Sequence, residues 1–239
     1  MIRFIYFDVD DTLLDHRYAE RKALEDVYHR FHHLLPEVPL SVFQDTYHRY
    51  NVRLWDRYAH GEIDKKTLRV ERFWHMQEAF DLHEVPLEEL IQTYMTAYAH
   101  HWKWIPGARD AFLELAQSTQ VGLLTNGFAE VQHAKLRRFP ELEAHARAIV
   151  ISEEVGVMKP DPRIFTHATR QAGVPPEAIL YVGDSYTSDV LGGHRAGWNV
   201  AWFRRQDVGS SEKLLPPGTY TFARWQDFLQ WFKSVLIVS

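Results

Sequence analysis

From residue 108 onward the chain alternates short apolar runs with segments of helical periodicity, and few folds accept that alternation. Residues 121–125, 148–152, 179–182 and 199–203 read as strands. Residues 108–117, 129–138, 162–172 and 187–196 read as the helices around them. A last strand near Tyr220 and a helix from about Trp225 follow. Short apolar strands separated by helices specify a parallel sheet wound by right-handed crossovers. An apolar run at 2–7 supplies one more strand, ahead of all the others. The text between is different. It is charged and aromatic, with apolar residues recurring at three and four, as in Leu54 and Tyr58. That is the signature of a bundle of amphipathic helices. Pro106-Gly107 then marks a break. The expected fold class is α/β: a parallel-sheet core from 1–15 and 105–239, carrying an inserted α-helical domain at 16–104.

Bulk properties exclude several classes of function. At 239 residues the chain suits one α/β domain with an insert, and it buries enough surface to need no covalent staples. It has no cysteine, which removes disulfides and thiolate metal sites. A net charge of -5 argues against a nucleic-acid polymer as partner. No stretch reaches the 18 or so apolar residues of a membrane span, so no membrane partner is expected. The opening run is short and breaks into acids, unlike a secretory signal, so the expected location is the cytoplasm.

The polar residues gather where such a sheet binds its ligands, at the carboxyl ends of the strands. The first strand ends in Asp8-Val9-Asp10-Asp11-Thr12 and the second in Thr125-Asn126-Gly127. Lys159-Pro160 follows the third, and Gly183-Asp184-Ser185 closes the fourth, with Asp189 five residues beyond Asp184. Taken singly, each acid is a helix cap or turn former, and Lys159 is a solvated lysine. Taken together they fit one reaction, the hydrolysis of a phosphate monoester. That substrate is a dianion, so it repels an attacking carboxylate unless a cation intervenes. Magnesium suits the role because it prefers a few oxygen ligands plus water. Asp8 and Asp184 are the expected ligands, with Asp189 ligating directly or through water. Asp8 is the expected nucleophile, forming an aspartyl-phosphate. Asp10 is the expected acid for the leaving oxygen and base for the water that follows. Thr125 and the backbone N–H of Asn126 or Gly127 are expected to hold phosphate oxygens. Lys159 is expected to neutralise remaining charge and keep Asp8 ionised.

These residues resemble the haloacid dehalogenase superfamily of phosphatases. Asp8 to Leu13 matches its first motif, Thr125 to Gly127 its second, Lys159-Pro160 its third, and Gly183-Asp184 through Asp189 its fourth, in that order. The resemblance implies a Rossmann-like core with a helical cap inserted after the first motif. It also implies that Asp10 binds the metal through its backbone carbonyl. A narrower resemblance is visible to the bacterial pyrimidine 5′-nucleotidases that act on non-canonical nucleotides. It is carried by Leu54-Trp55-Asp56-Arg57-Tyr58-Ala59-His60-Gly61-Glu62-Ile63, by Arg72-Phe73, by Phe128 with Gln132 and Leu136, and by Ile151 to Val157. It implies a nucleoside monophosphate as the small-molecule partner. Trp55, Tyr58, Phe73 and Phe128 are then candidates for a wall that stacks on a base; packing within the cap is the other reading of Trp55, Tyr58 and Phe73. A phosphatase for sugar phosphates or 2-phosphoglycolate is the alternative. A non-enzymatic binder of phosphoryl ligands is a third, disfavoured because Asp8, Asp10, Lys159 and Asp184 are all present.

Overall fold

The computed structural model describes residues 1–35, 37–205 and 214–237. The chain divides into two compact units, Met1–Asp15 with Lys103–Ser239, and His16–Trp102. The second junction thus falls two residues before the position expected from sequence. Backbone bonds explain why: Asp15 N–H donates to Lys103 O and Ile105 N–H to Leu13 O, tying Lys103 and its neighbours to the first segment.

The first unit is a six-stranded parallel sheet in the order β3-β2-β1-β4-β5-β6. Its strands are β1 (Phe4–Phe7), β2 (Gln120–Thr125), β3 (Ala146–Ile151), β4 (Ile179–Gly183), β5 (Asn199–Phe203) and β6 (Tyr220–Phe222). β1 is central and buried on both faces, which is why it reads Phe-Ile-Tyr-Phe with no polar alternation. Phe4 and Tyr6 enter the layer with Ile164, Phe165, Tyr181 and Trp198. Ile5 and Phe7 enter the opposite layer with Phe112, Leu123, Val182, Trp225 and Phe228.

Helices α5 (Ala108–Ser118), α6 (Ala129–Arg138), α7 (Pro140–His145), α8 (Ser152–Val155), α9 (Pro162–Ala172), α10 (Gly192–Arg195) and α11 (Trp225–Ile237) surround the sheet. α9 starts on Pro162 behind an Asp161 cap that accepts from Arg163 N–H, and ends on left-handed Gly173. The helix expected over 187–196 is two pieces. Asp189 N–H and Val190 N–H both donate to Ser185 O, which widens the turn Tyr186–Leu191 before α10 begins. The sequence pattern does not predict the short α7.

The second unit contains α1 (His16–Arg30), α2 (Leu40–Ala59), α3 (Lys65–Phe80) and α4 (Leu87–His100). Asp64 caps α3 by accepting from Thr67 N–H, and Asp81 ends it in the left-handed conformation. Tyr47, Phe73 and Tyr94 form its aromatic centre, with ring centroids 5.0 to 5.5 Å apart. No helix among the described residues is long and apolar enough to cross a membrane.

Candidate active site

Because β1 and β4 are neighbours in register, Asp8 and Asp184 leave the sheet side by side. Asp8 N–H still donates to Val182 O, so the ladder carries the first acid to its place. Asp8, Asp184 and Asp189 each present a carboxylate oxygen within 4.8 Å of the others. Three hard oxygen donors so close, with no sulfur or imidazole among them, fit a magnesium-like ion. Thr12 Oγ1 lies 3.4 Å from both Asp8 Oδ2 and Asp184 Oδ1. Asp189 is engaged through both oxygens. Its Oδ1 accepts from Lys159 and lies 3.0 Å from the Tyr181 hydroxyl, while its Oδ2 accepts from Ser185 N–H.

Lys159 is the hub. Its Nζ stands 2.7 Å from Asp8 Oδ1, 2.8 Å from Asp189 Oδ1, 2.6 Å from Tyr181 Oη and 3.1 Å from Leu124 O. Burial weakens its hold on the proton, but Asp189 and Asp8 outweigh that cost and hold the ammonium charged. Burial likewise pushes the Asp8 carboxyl up to about 7, against the pull of Lys159. Burial and the two carboxylates keep the Tyr181 phenol neutral.

The second motif is folded by its neighbours. Asn126 Nδ2 donates to Lys159 O and Lys159 N–H donates to Asn126 Oδ1, a reciprocal clamp between two strand ends. Gly127 N–H donates to Ser152 Oγ at 3.0 Å. That N–H already has a partner within the protein, whereas a phosphate oxygen there was expected from sequence. Thr125 sits at the tip of β2, 2% exposed. Gly127 has φ 149, and a Cβ there would lie 2.6 Å from Gln132 Nε2.

Asp10 turns toward α6. Lys135 Nζ lies 2.6 and 2.8 Å from its two oxygens, and Gln132 Nε2 donates to Oδ2 at 2.9 Å. Lys135 was missed in the sequence, where it is one more basic residue in a basic helical turn. Arg205 was missed too. It pairs with Asp15 at 2.6 Å and lies 3.6 Å from Asp11, whose φ of 60 is unusual outside glycine. Nothing within the local sequence marks a residue 190 positions from its partner.

The four aromatic candidates fare differently. Phe128 follows the turn after β2 but is buried. Trp55 and Tyr58 are part-exposed on α2, their rings edge-on at 5.7 Å. Phe73 is 1% exposed and packed against Tyr47 and Tyr94, so it offers no face to a base. It belongs to the core of the helical unit.

The family model of haloacid dehalogenase-like hydrolases matches residues 2–197. Pyrimidine 5′-nucleotidase YjjG of Escherichia coli is 32% identical over 90% of this chain and 92% of its own length. Pyrimidine 5′-nucleotidase PynA of Streptococcus pneumoniae is 29% identical over 95% and 93%. A glyceraldehyde 3-phosphate phosphatase of Methanopyrus kandleri is 30% identical over 86% and 85%. Among solved structures, magnesium-bound YfnB of Bacillus subtilis superposes with a TM-score of 0.77 at 27% identity, covering 96% of this chain and 97% of that one.

Proposed function

Because the chain belongs to the haloacid dehalogenase-like hydrolases, and is a phosphoric monoester hydrolase, we propose that it is a cytoplasmic, magnesium-dependent nucleoside 5′-monophosphatase favouring pyrimidines. One observation carries the chemistry: Asp8, Asp184, Asp189 and Lys159 meet at the carboxyl ends of β1 and β4, with Asp10 and Thr125 on the adjoining loop and strand tip. Asp8 Oδ attacks phosphorus and forms an acyl phosphate as the ester oxygen departs. Asp10 gives that oxygen its proton, then as carboxylate takes one from the water that cleaves the acyl phosphate at phosphorus. Lys159 balances the charge of Asp8 and Asp189 and holds Asp8 in place. Thr125 Oγ1 and Asn126 N–H bind phosphate oxygens. Asp8, Asp184 and the Asp10 carbonyl would hold magnesium, with Asp189 ligating directly or through water. When bound, the ion supplies the positive charge that offsets repulsion between carboxylate and phosphate.

The nucleotide preference is supported by the two pyrimidine 5′-nucleotidases that align over nine-tenths of both chains. A sugar-phosphate or 2-phosphoglycolate phosphatase is the second reading, supported by the glyceraldehyde 3-phosphate phosphatase at similar identity. Catalytic efficiencies for UMP, dTMP, AMP, ribose 5-phosphate and 2-phosphoglycolate at one magnesium concentration separate them. Pyrimidine nucleotides are expected to lead. If ribose 5-phosphate matches UMP, the base contributes nothing and the second reading takes over.

A further inference from the structure

We propose that Lys135 and Gln132 are positioning residues for Asp10, clamping its carboxylate from successive turns of α6 so that the acid faces the leaving oxygen. The inference rests on the assignment of Asp10 as acid and base made above. Both Asp10 oxygens lie within 2.8 Å of Lys135 Nζ, and Gln132 adds a third bond at 2.9 Å. The donors are sunk in the fold, Lys135 at 2% and Gln132 at 4% exposure, while the Asp10 side chain keeps 25%. A surface ion pair contributes little, and a lysine that only balanced charge would sit in water. Burying an ammonium is unfavourable unless a carboxylate and good geometry meet it. Here that geometry is directed at one carboxylate, and it fixes the rotamer.

The support is itself anchored. Ala129 N–H, at the start of α6, donates to Glu153 Oε2 at 2.7 Å. Gln132 reaches back to Asn126 O at 3.4 Å, and the place where a Gly127 Cβ would stand is where its amide passes. One helix thereby joins the acid after β1, the phosphate turn after β2 and the start of α8 after β3. A general acid works only within hydrogen-bond reach of the oxygen it protonates, so freedom of the Asp10 side chain reduces turnover without altering phosphate binding.

The test measures kcat and KM of Lys135→Met and Gln132→Met, each with and without Asp10→Asn, on p-nitrophenyl phosphate and on an alkyl phosphate. Lys135→Met is expected to lower kcat on the alkyl ester about tenfold or more and on the nitrophenyl ester much less, with KM changed by less than about threefold. Gln132→Met, which keeps every charge, is expected to show the same selectivity at about threefold. It carries the test if Lys135→Met does not fold. Added to Asp10→Asn, either change is expected to cost less than about twofold, because the group it positions is already gone. Equal losses on both esters, or losses that multiply with Asp10→Asn, would overturn the clamp. An Asp10→Asn variant that itself slows both esters equally removes the acid role, and the proposal with it. A selective Asp10→Asn beside an unselective Lys135→Met sinks the clamp alone.

Discussion

At the residue scale the acids carry most of the information. Burial holds Asp8 near 7, so below that pH the metal-free site keeps a proton that a divalent cation must displace. Magnesium binding is therefore expected to release protons, and its apparent affinity to fall about tenfold per pH unit once well below 7. Calorimetry in buffers of different ionisation enthalpy checks this; proton-independent binding between pH 5 and 6 would contradict it. Asp10→Asn leaves the backbone carbonyl in place and removes the proposed proton donor. It is expected to slow an alkyl phosphate about a hundredfold or more and a good leaving group less, read from steady-state rates. Asp8, Asp10, Lys159 and Asp184 were legible because their types and strand-end spacing are local facts. Lys135, Tyr181 and Arg205 were not. Their meaning arises only when segments tens to hundreds of residues apart meet, as Arg205 meets Asp15.

At the scale of elements, the sheet explains why these acids converge. Six parallel strands put every strand end on one edge, and the central place of β1 puts Asp8 next to contributions from both β2 and β4. Strand existence was readable from apolar runs of four to six residues. The widened turn at Tyr186–Leu191 was not, because it follows from two amides sharing Ser185 O rather than from any periodicity. The turn after β2 has a sharp requirement. Gly127 adopts a φ that other residues resist, and Gln132 already occupies the space beside it. Gly127→Ala is expected to cost about 1–3 kcal/mol of local strain and to lower kcat/KM by about tenfold or more, with far-UV dichroism unchanged. An alanine variant of normal kcat/KM would show that the turn tolerates a side chain.

At the scale of the whole molecule, the helical unit separates packing residues from candidates for recognition. Phe73 lies in its aromatic centre, so Phe73→Ala is expected to destabilise the fold by about 3–5 kcal/mol in denaturant titration. Tyr58 is partly exposed, so Tyr58→Ala is expected to change stability by less than about 1 kcal/mol in the same titration. A Tyr58→Ala loss as large as that of Phe73→Ala would show that the partly exposed ring carries packing as well. Sequence spacing alone left the roles of Phe73 and Tyr58 open, since burial depends on which helices face one another. The fold by itself does not choose between attack on carbon and attack on phosphorus. The choice rests on Asp10 and on the oxygen-only cluster of Asp8, Asp184 and Asp189, which attack on carbon would not need. The most direct measurement is the turnover of Asp8→Asn on p-nitrophenyl phosphate with saturating magnesium, on protein shown to be folded by dichroism. An amide of nearly the same size is a poor nucleophile, so a fall of at least about a thousandfold is expected. A folded Asp8→Asn enzyme retaining about a tenth of wild-type turnover would contradict the account, because an intermediate on Asp8 cannot then be on the path.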